Sequence, residues 1–414
     1  MDLGLSERIR KYWRMIIRCG LNVTPGQKVL ISAPARCADM VEMAASAAYD
    51  AGASRVVPRW DSAALSRMGY LRGDPGVWAK ADPWDKAMLV PLAREGAAFL
   101  FIHSTDPRAF EGVDPGIIVR SRAAFNKSVR EWSDRYMANR NRWCVAAAAS
   151  PDWARAVFPD LSAGDANDAL WEAILSAAYI GDGDAEESWV EHADLLSRRT
   201  ERLNAMNLRG LLIRNGLGTK LYVGLPAGHI WLGGREPDAG GIVFSPNIPT
   251  EEVFTAPDWR SVNGVVKSSL PLVYQGNVVR GFSFTFRSGR IVKIEAEEGR
   301  DLLVKATGVD KGASYLGEVA LVPYHSPISR TGLLFFDTLF DENASCHLAF
   351  GKAYPKCVAG ADGRPGGVQR RMGVNRSSTH VDFMFGTPDL EIIGVADDGR
   401  KVRVFREGNF AEGF

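Results

Sequence analysis

Apolar side chains in the first part of the chain recur with helical and then strand-like spacing. Ile9, Trp13 and Ile16 fall at i, i+4 and i+7, which predicts an amphipathic helix that Gly20 terminates and whose apolar stripe packs on a sheet. Pro25-Gly26 marks a turn, and the apolar run KVLIS at 28–32 predicts a short strand. The Ala/Met-rich stretch from Ala38 to Ala51 favours helix, Gly52 stands at its C-cap, and RVVPR follows as a strand, completing a βαβ unit. AAFLFIH at 97–103 and RWCVAAAAS at 142–150 repeat the strand pattern between helical segments. Strands that are apolar throughout and alternate with helices imply a parallel sheet covered on both faces. The N-terminal domain is therefore expected to be α/β to about residue 180, with helical stretches near 165–180 and 184–206 carrying the chain onward.

From about Arg209 the texture changes: Gly and Pro become frequent, and short alternating runs replace long helical ones. FSFTF at 282–286 turns at Arg287-Ser288-Gly289 and returns as RIVKIEAE, the pattern of a hairpin. EIIGVA and KVRVF flank Asp397-Asp398-Gly399 in the same way. The chain divides on this reading into residues 1–205, an α/β domain with linking helices, and residues 206–414, a mainly β (α+β) catalytic domain.

Composition narrows the function. The 414 residues are 46% hydrophobic, enough for a large core, and 50 Lys plus Arg against 49 Asp plus Glu leave a formal charge of +1. No bulk field attracts nucleic acid or an anionic membrane, and a small neutral or zwitterionic substrate suits this balance. The five cysteines are odd in number and lack CxxC spacing, against a disulfide frame or thiolate zinc site. The N-terminus lacks the apolar core of a signal peptide, and no run approaches the ~18 apolar residues that span a bilayer, so a cytoplasmic location is expected. Asn215-Gly-Leu-Gly-Thr-Lys220 lacks phosphate-loop spacing and reads as a hairpin turn.

Four of six histidines, His229, His325, His347 and His380, lie in the second half, while His103 and His192 read as packing or surface residues. In NRSSTHVDFMFG at 375–386, His380 and Asp382 alternate with Val381, Phe383 and Phe385 and so project from one strand face. Imidazole and carboxylate so placed bind one cation together; the same letters also fit the polar outer face of an edge strand. In FDENASCH, Glu342 and His347 are five residues apart, about 140° around a regular helix, so they converge only if the backbone bends, as where a loop runs into a helix at His347. An ordinary helix start with acidic capping explains this segment too. PNIPTEEVFT presents Glu251 and Glu252 behind two prolines, and Glu318 sits in the apolar run YLGEVALV, where a buried acid needs a partner. Glu252, Glu318, Glu342 and Asp382 would balance two divalent cations. Bare carboxylates about 4 Å apart repel by ~4 kcal/mol at an effective dielectric near 20.

LNVTPGQKVLISAP, NRWCVAAAASPDWARAVFP, VGLPAGHIWLGG, PNIPTEEVFTAP, SPIS, TLFDENASCHLAFGKAY and NRSSTHVDFMFG together resemble the thermophilic-aminopeptidase family of dinuclear metallopeptidases over nearly the whole chain. The resemblance implies metal ligands at Glu252, Glu318, Glu342, His347, His380 and Asp382, with its register favouring Glu252 over Glu251. It implies Tyr354 as a catalytic hydroxyl, a homodimer, and removal of N-terminal residues from short peptides. On the mechanism expected here, two divalent cations (Zn, Co, Mn or Mg) share a carboxylate, Glu318, and activate a water between them. Two departures bear on substrate preference. KCVAGADGRPGGVQRRMG at 356–373 is rich in Gly and Arg where an acidic helical pattern is expected, and Phe336-Asp337 replaces a Tyr-Asn pair. Rival readings are a hydrolase of non-peptide amides, an Fe(II) ring-cleaving dioxygenase on the same scaffold using His347, His380 and Asp382, and a peptide-binding protein with a degenerate site.

Overall fold

Val29, Leu30 and Ile31 are all fully buried, which a strand achieves only when both faces of its sheet are covered. In the computed structural model, which describes residues 3–274 and 277–414, this strand (Lys28–Pro34) is flanked by Arg55–Asp61 on one side and by Ala98–His103 on the other, with Trp143–Ala147 beyond. All three pairings are parallel. The first helix, Leu3–Met15, buries Leu5, Ile9, Tyr12, Trp13 and Met15, then continues as a single π-helical turn to Gly20. The Tyr12 hydroxyl donates to Ala147 O at 3.1 Å and accepts from Ala147 N at 3.0 Å, tying this helix to a strand of the sheet. Ala38–Asp50 buries the small residues Ala44 and Ala48, and Gly52 beyond it takes the left-handed φ of +93° that a side chain would resist.

The chain forms two units. The first comprises Met1–His192, Arg235–Pro249 and Phe335–Asp337; the second comprises Ala193–Gly234, Thr250–Leu334 and Thr338–Phe414. The helix Ala185–Ala205 starts in one and ends in the other. Within the first unit Val145 and Asn247 form a parallel bridge, so a later segment extends the pairing of the sheet. His192 is buried there, stacked on Tyr179 at 4.3 Å, and His103 is partly exposed, 3.7 Å from Asp337.

Among the described residues, the second unit carries an eight-stranded antiparallel sheet, in the order 290–295, 283–287, 262–267, 220–224, 208–214, 391–396, 401–406, 409–410. Both hairpins read from alternation are present. At the first, Ser288 and Gly289 have φ of +46° and +82°, the paired positive values of a type I′ turn, whose twist matches the strands. A four-stranded antiparallel sheet is ordered His380–Met384, His347–Gly351, Leu316–Leu321, Val253–Thr255. One face of it supplies Phe350 and Phe383 to the core, where Phe284 lies 5.9 and 5.1 Å from them between ring centroids and Phe282 lies 5.8 Å from Phe383. No helix among the described residues is long and apolar enough to cross a membrane.

Candidate metal centre

The two-residue period of a strand assigns the other face of the four-stranded sheet. On His380–Met384, Val381 and Phe383 enter the core while His380 and Asp382 point the opposite way. Ala349 stands opposite Asp382 and Gly351 opposite His380 on the neighbouring strand, which puts His347, two residues before Ala349, on the same face. Glu318 pairs with Ala349, and Ala320 with His347. Phe254 faces Ala320, and alternation puts Glu252, just before that strand, beside them. The small side chains of Ala320 and Ala349 leave room among the acids and imidazoles.

Strand order thus gathers residues that are far apart in sequence. Ligand atoms of Glu252, Glu318 and His347 lie within 4.8 Å of one another, as do those of Glu318, His380 and Asp382. Glu318 belongs to both groups: Oε1 is 3.7 Å from His347 Nε2 and Oε2 is 3.7 Å from His380 Nε2. Glu342 lies close enough to Glu252 and Asp382 to feel both charges, and Tyr354 sits beside His380, with ring centroids 5.6 Å apart. His229 and His325 are in neither group; His229 Nδ1 lies 3.2 Å from Pro226 O, and His325 is exposed.

His347 does not start a helix. A 3-10 turn over Glu342–Ala344 ends at an extended Ser345, with φ −159° and ψ 149°, and His347 opens a strand. The required bend is present, made by this reversal. Asn343, within the segment that also fitted a capped helix start, accepts from Glu251 N at 2.7 Å and donates to Leu339 O at 2.8 Å, holding the Glu252 segment beside the Glu342 turn. Its only local signal was the motif it sits in, because the bond to Glu251 spans 92 residues.

The hydrogen bonds and charges fit a cation. His347 Nδ1 lies 3.1 Å from Ser345 O and His380 Nδ1 lies 2.7 Å from Lys352 O. A carbonyl only accepts, so each Nδ1 carries its proton and each Nε2 is turned to the acids, the arrangement metal-binding histidines use. Glu252 Oε2 and Asp382 Oδ1 are buried without a hydrogen-bond partner, although His347 Nε2 is 3.1 Å from the first and His380 Nε2 is 3.2 Å from the second. Close approach without hydrogen-bond geometry is what two ligands of one ion display.

Protonation equilibria carry the same strain. Burial alone would lower both imidazoles, but Glu252 and Glu318 hold His347 well above its usual range, and Asp382 with Glu318 pushes His380 up to about 10. Burial, and then the charges of Glu252 and Asp382, raise Glu342 well above an ordinary carboxylate, and burial raises Glu318. Burial would raise Asp382 too, but the facing imidazoles bring it down. Burial followed by the nearby acids drives the Tyr354 hydroxyl far up, so it remains a donor at any physiological pH.

A strand-built pocket of buried acids and oriented imidazoles has the donor set of a metal-binding site. The chain belongs to the M29 family of thermophilic metalloproteases, whose model matches residues 5–410. It is 40% identical over 406 residues to Aminopeptidase 2 of Geobacillus stearothermophilus, covering 98% of each chain. It is 38% identical over 408 residues to Aminopeptidase T of Thermus aquaticus, covering 98% of this chain and 99% of that one. The solved structure of wild-type AmpT from Thermus thermophilus superposes with a TM-score of 0.92 at 38% identity, covering 98% and 99% of the two chains. A dioxygenase of Pseudomonas putida KT2440 that acts on a dihydroxypyridine gives a TM-score of 0.52 at 13% identity over 99% and 97%, a likeness of fold alone. Membership makes the chain a metalloaminopeptidase by family, and divalent metal with peptide substrates goes with it.

Proposed function

We propose that this aminopeptidase removes the N-terminal residue of short peptides at a two-cation site built from Glu252, Glu318, Glu342, His347, His380 and Asp382. The observation that carries the reading is the membership of Glu318 in both ligand groups, one carboxylate oxygen facing each imidazole. Bound divalent cations supply Lewis acidity, bringing the pKa of a water toward neutrality and polarising the scissile carbonyl. Tyr354 donates a hydrogen bond to the oxyanion that develops on that carbonyl. One of Glu252 and Glu342 serves as general base rather than as a ligand, taking the proton of the attacking water and delivering it to the leaving amine. The substrate's free α-amine seats against the acid-rich wall, which confines cleavage to the N-terminus.

Metal content and hydrolysis of free and N-blocked dipeptides test this together. Two equivalents of Zn, Co or Mn per chain are expected, with free dipeptides cleaved and N-blocked ones resistant. His380→Ala is expected to keep one equivalent, and Glu318→Ala to lose turnover by at least about 10³-fold with the fold intact. Undiminished activity in either folded variant sinks the site, and a single iron with oxygen uptake turns the reading toward the dioxygenase chemistry.

A further inference from the structure

The loop that delivers His380 is held by groups outside the site. Asn375 is fully buried, and its Nδ2 donates to Gly312 O at 2.9 Å, Tyr315 O at 3.3 Å and Gly351 O at 2.6 Å. Asp310 accepts from five donors. Gly312 N and Ala313 N, at 2.8 and 2.9 Å, belong to its own turn. Ser377 Oγ at 2.9 Å, with Ser378 N and Ser378 Oγ both at 2.7 Å, belong to the loop that leads into His380. The two segments are pressed together. A Cβ on Gly312 would come within 1.8 Å of Arg376 O, and one on Gly351 within 2.2 Å of Thr379 O. Lys352 closes the clasp, its N donating to Thr379 O at 2.7 Å while its O accepts from His380 Nδ1.

We infer that Asp310 is a positioning residue for His380: its carboxylate clamps Ser377 and Ser378, and through that loop it sets where the His380 ring lies. It touches neither substrate nor the reacting atoms. A carboxylate suits the task because all five of its partners donate, so it satisfies them without an orphaned donor, whereas an amide would turn an N–H toward at least one of them. Two hydroxyl groups and three backbone N–H groups converging on one anion also fix the loop more narrowly than a single bond would. The inference rests on the proposed role of His380 as a ligand, and it predicts that loosening the clamp affects one cation and spares the other, because Glu252 and His347 are delivered by different strands.

The test uses the full chain, Asp310→Asn, and a Ser377→Ala/Ser378→Ala double variant that removes the same bonds from the other side. Zn²⁺ affinity is measured by chelator competition, alongside exchange of the His380 Nδ1 proton by NMR of ¹⁵N-histidine protein without metal. Both variants are expected to weaken one of the two Zn²⁺ equivalents by about 10- to 100-fold, as loss of an orienting partner does at other metal sites, with the second equivalent unchanged. The His380 Nδ1 proton should exchange faster. Both equivalents unchanged, or both weakened alike, overturns the inference. If the wild-type protein binds none of Zn²⁺, Co²⁺ or Mn²⁺, the proposed function fails, and the proton exchange decides the positioning role alone: faster exchange in the variants upholds it, unchanged exchange overturns it. If Asp310→Asn does not fold, the double variant carries both measurements.

Discussion

Asp310 makes the chain's acid sensitivity readable at a single residue. Partial burial alone would raise its carboxyl, but the bonds from Ser378, Ser377 and Gly312 outweigh that and bring it to about 2, below its ordinary 3.8. A folded value below the unfolded one means stability that is fully present above about pH 4 and is lost as the pH falls through about 2. Screening by solvent at this half-buried position limits the contribution to about 1 kcal/mol. Asp310→Asn should therefore unfold at lower urea than wild type at pH 7, with the gap closing between about pH 4 and pH 2. A gap that persists unchanged at pH 2 would contradict the assignment. His380 and Asp382 were legible from sequence because a period of two is local information. Glu318 was legible as a question, an acid in an apolar run, and the strand order answers it. The roles of Asn343 and Asp310 were not legible, since their bonds reach across 92 and 67–68 residues and nothing in the flanking letters encodes them.

Strands and turns decide whether those residues meet. Gly317 precedes Glu318 at an irregularity in pairing between Leu316–Leu321 and His347–Gly351. A Cβ there would lie 2.3 Å from Lys352 O and 2.6 Å from Gly351 O, so the two backbones approach more closely than any side chain allows. Gly317→Ala should push the strands apart beside Glu318, costing about 2 kcal/mol or more in urea unfolding and at least tenfold in kcat. Wild-type stability and turnover in that variant would show that the close approach has no consequence. The hairpins at Ser288-Gly289 and Asp397-Asp398-Gly399 were read correctly from turn residues and alternation. The strand beginning at His347 was not, because acids and Asn followed by Ser and Cys resemble a helix start and only the extended Ser345 reverses it. Pairing partners such as Val145 with Asn247 lie about a hundred residues apart and carry no local signature.

For the whole molecule, the α/β character of the first unit and the β character of the second were accessible to pattern reading, because each follows from which faces of the strands are covered. The return of residues 235–249 and 335–337 to the first unit was not, as short segments of loop texture announce no partner. Stripping metal should lower Tm by several degrees, since bound ions stabilise the folded chain by mass action and their loss leaves a pocket so crowded with acids that Glu318 and Glu342 are pushed above the ordinary carboxylate range. An unchanged Tm after chelation would argue against that crowding. Phe383→Ala removes a ring packed between Phe282 and Phe284, and about 3–5 kcal/mol of stability with it, measurable as an earlier thermal transition.

His380 and Asp382 share their strand with Val381 and Phe383, so the donors ride on a plank whose underside is wedged into aromatic rings. The strand that carries them cannot shift without prising those rings apart. Captured ions should consequently be slow to trade with isotope added outside, and the trading rate should climb with temperature as steeply as unfolding does.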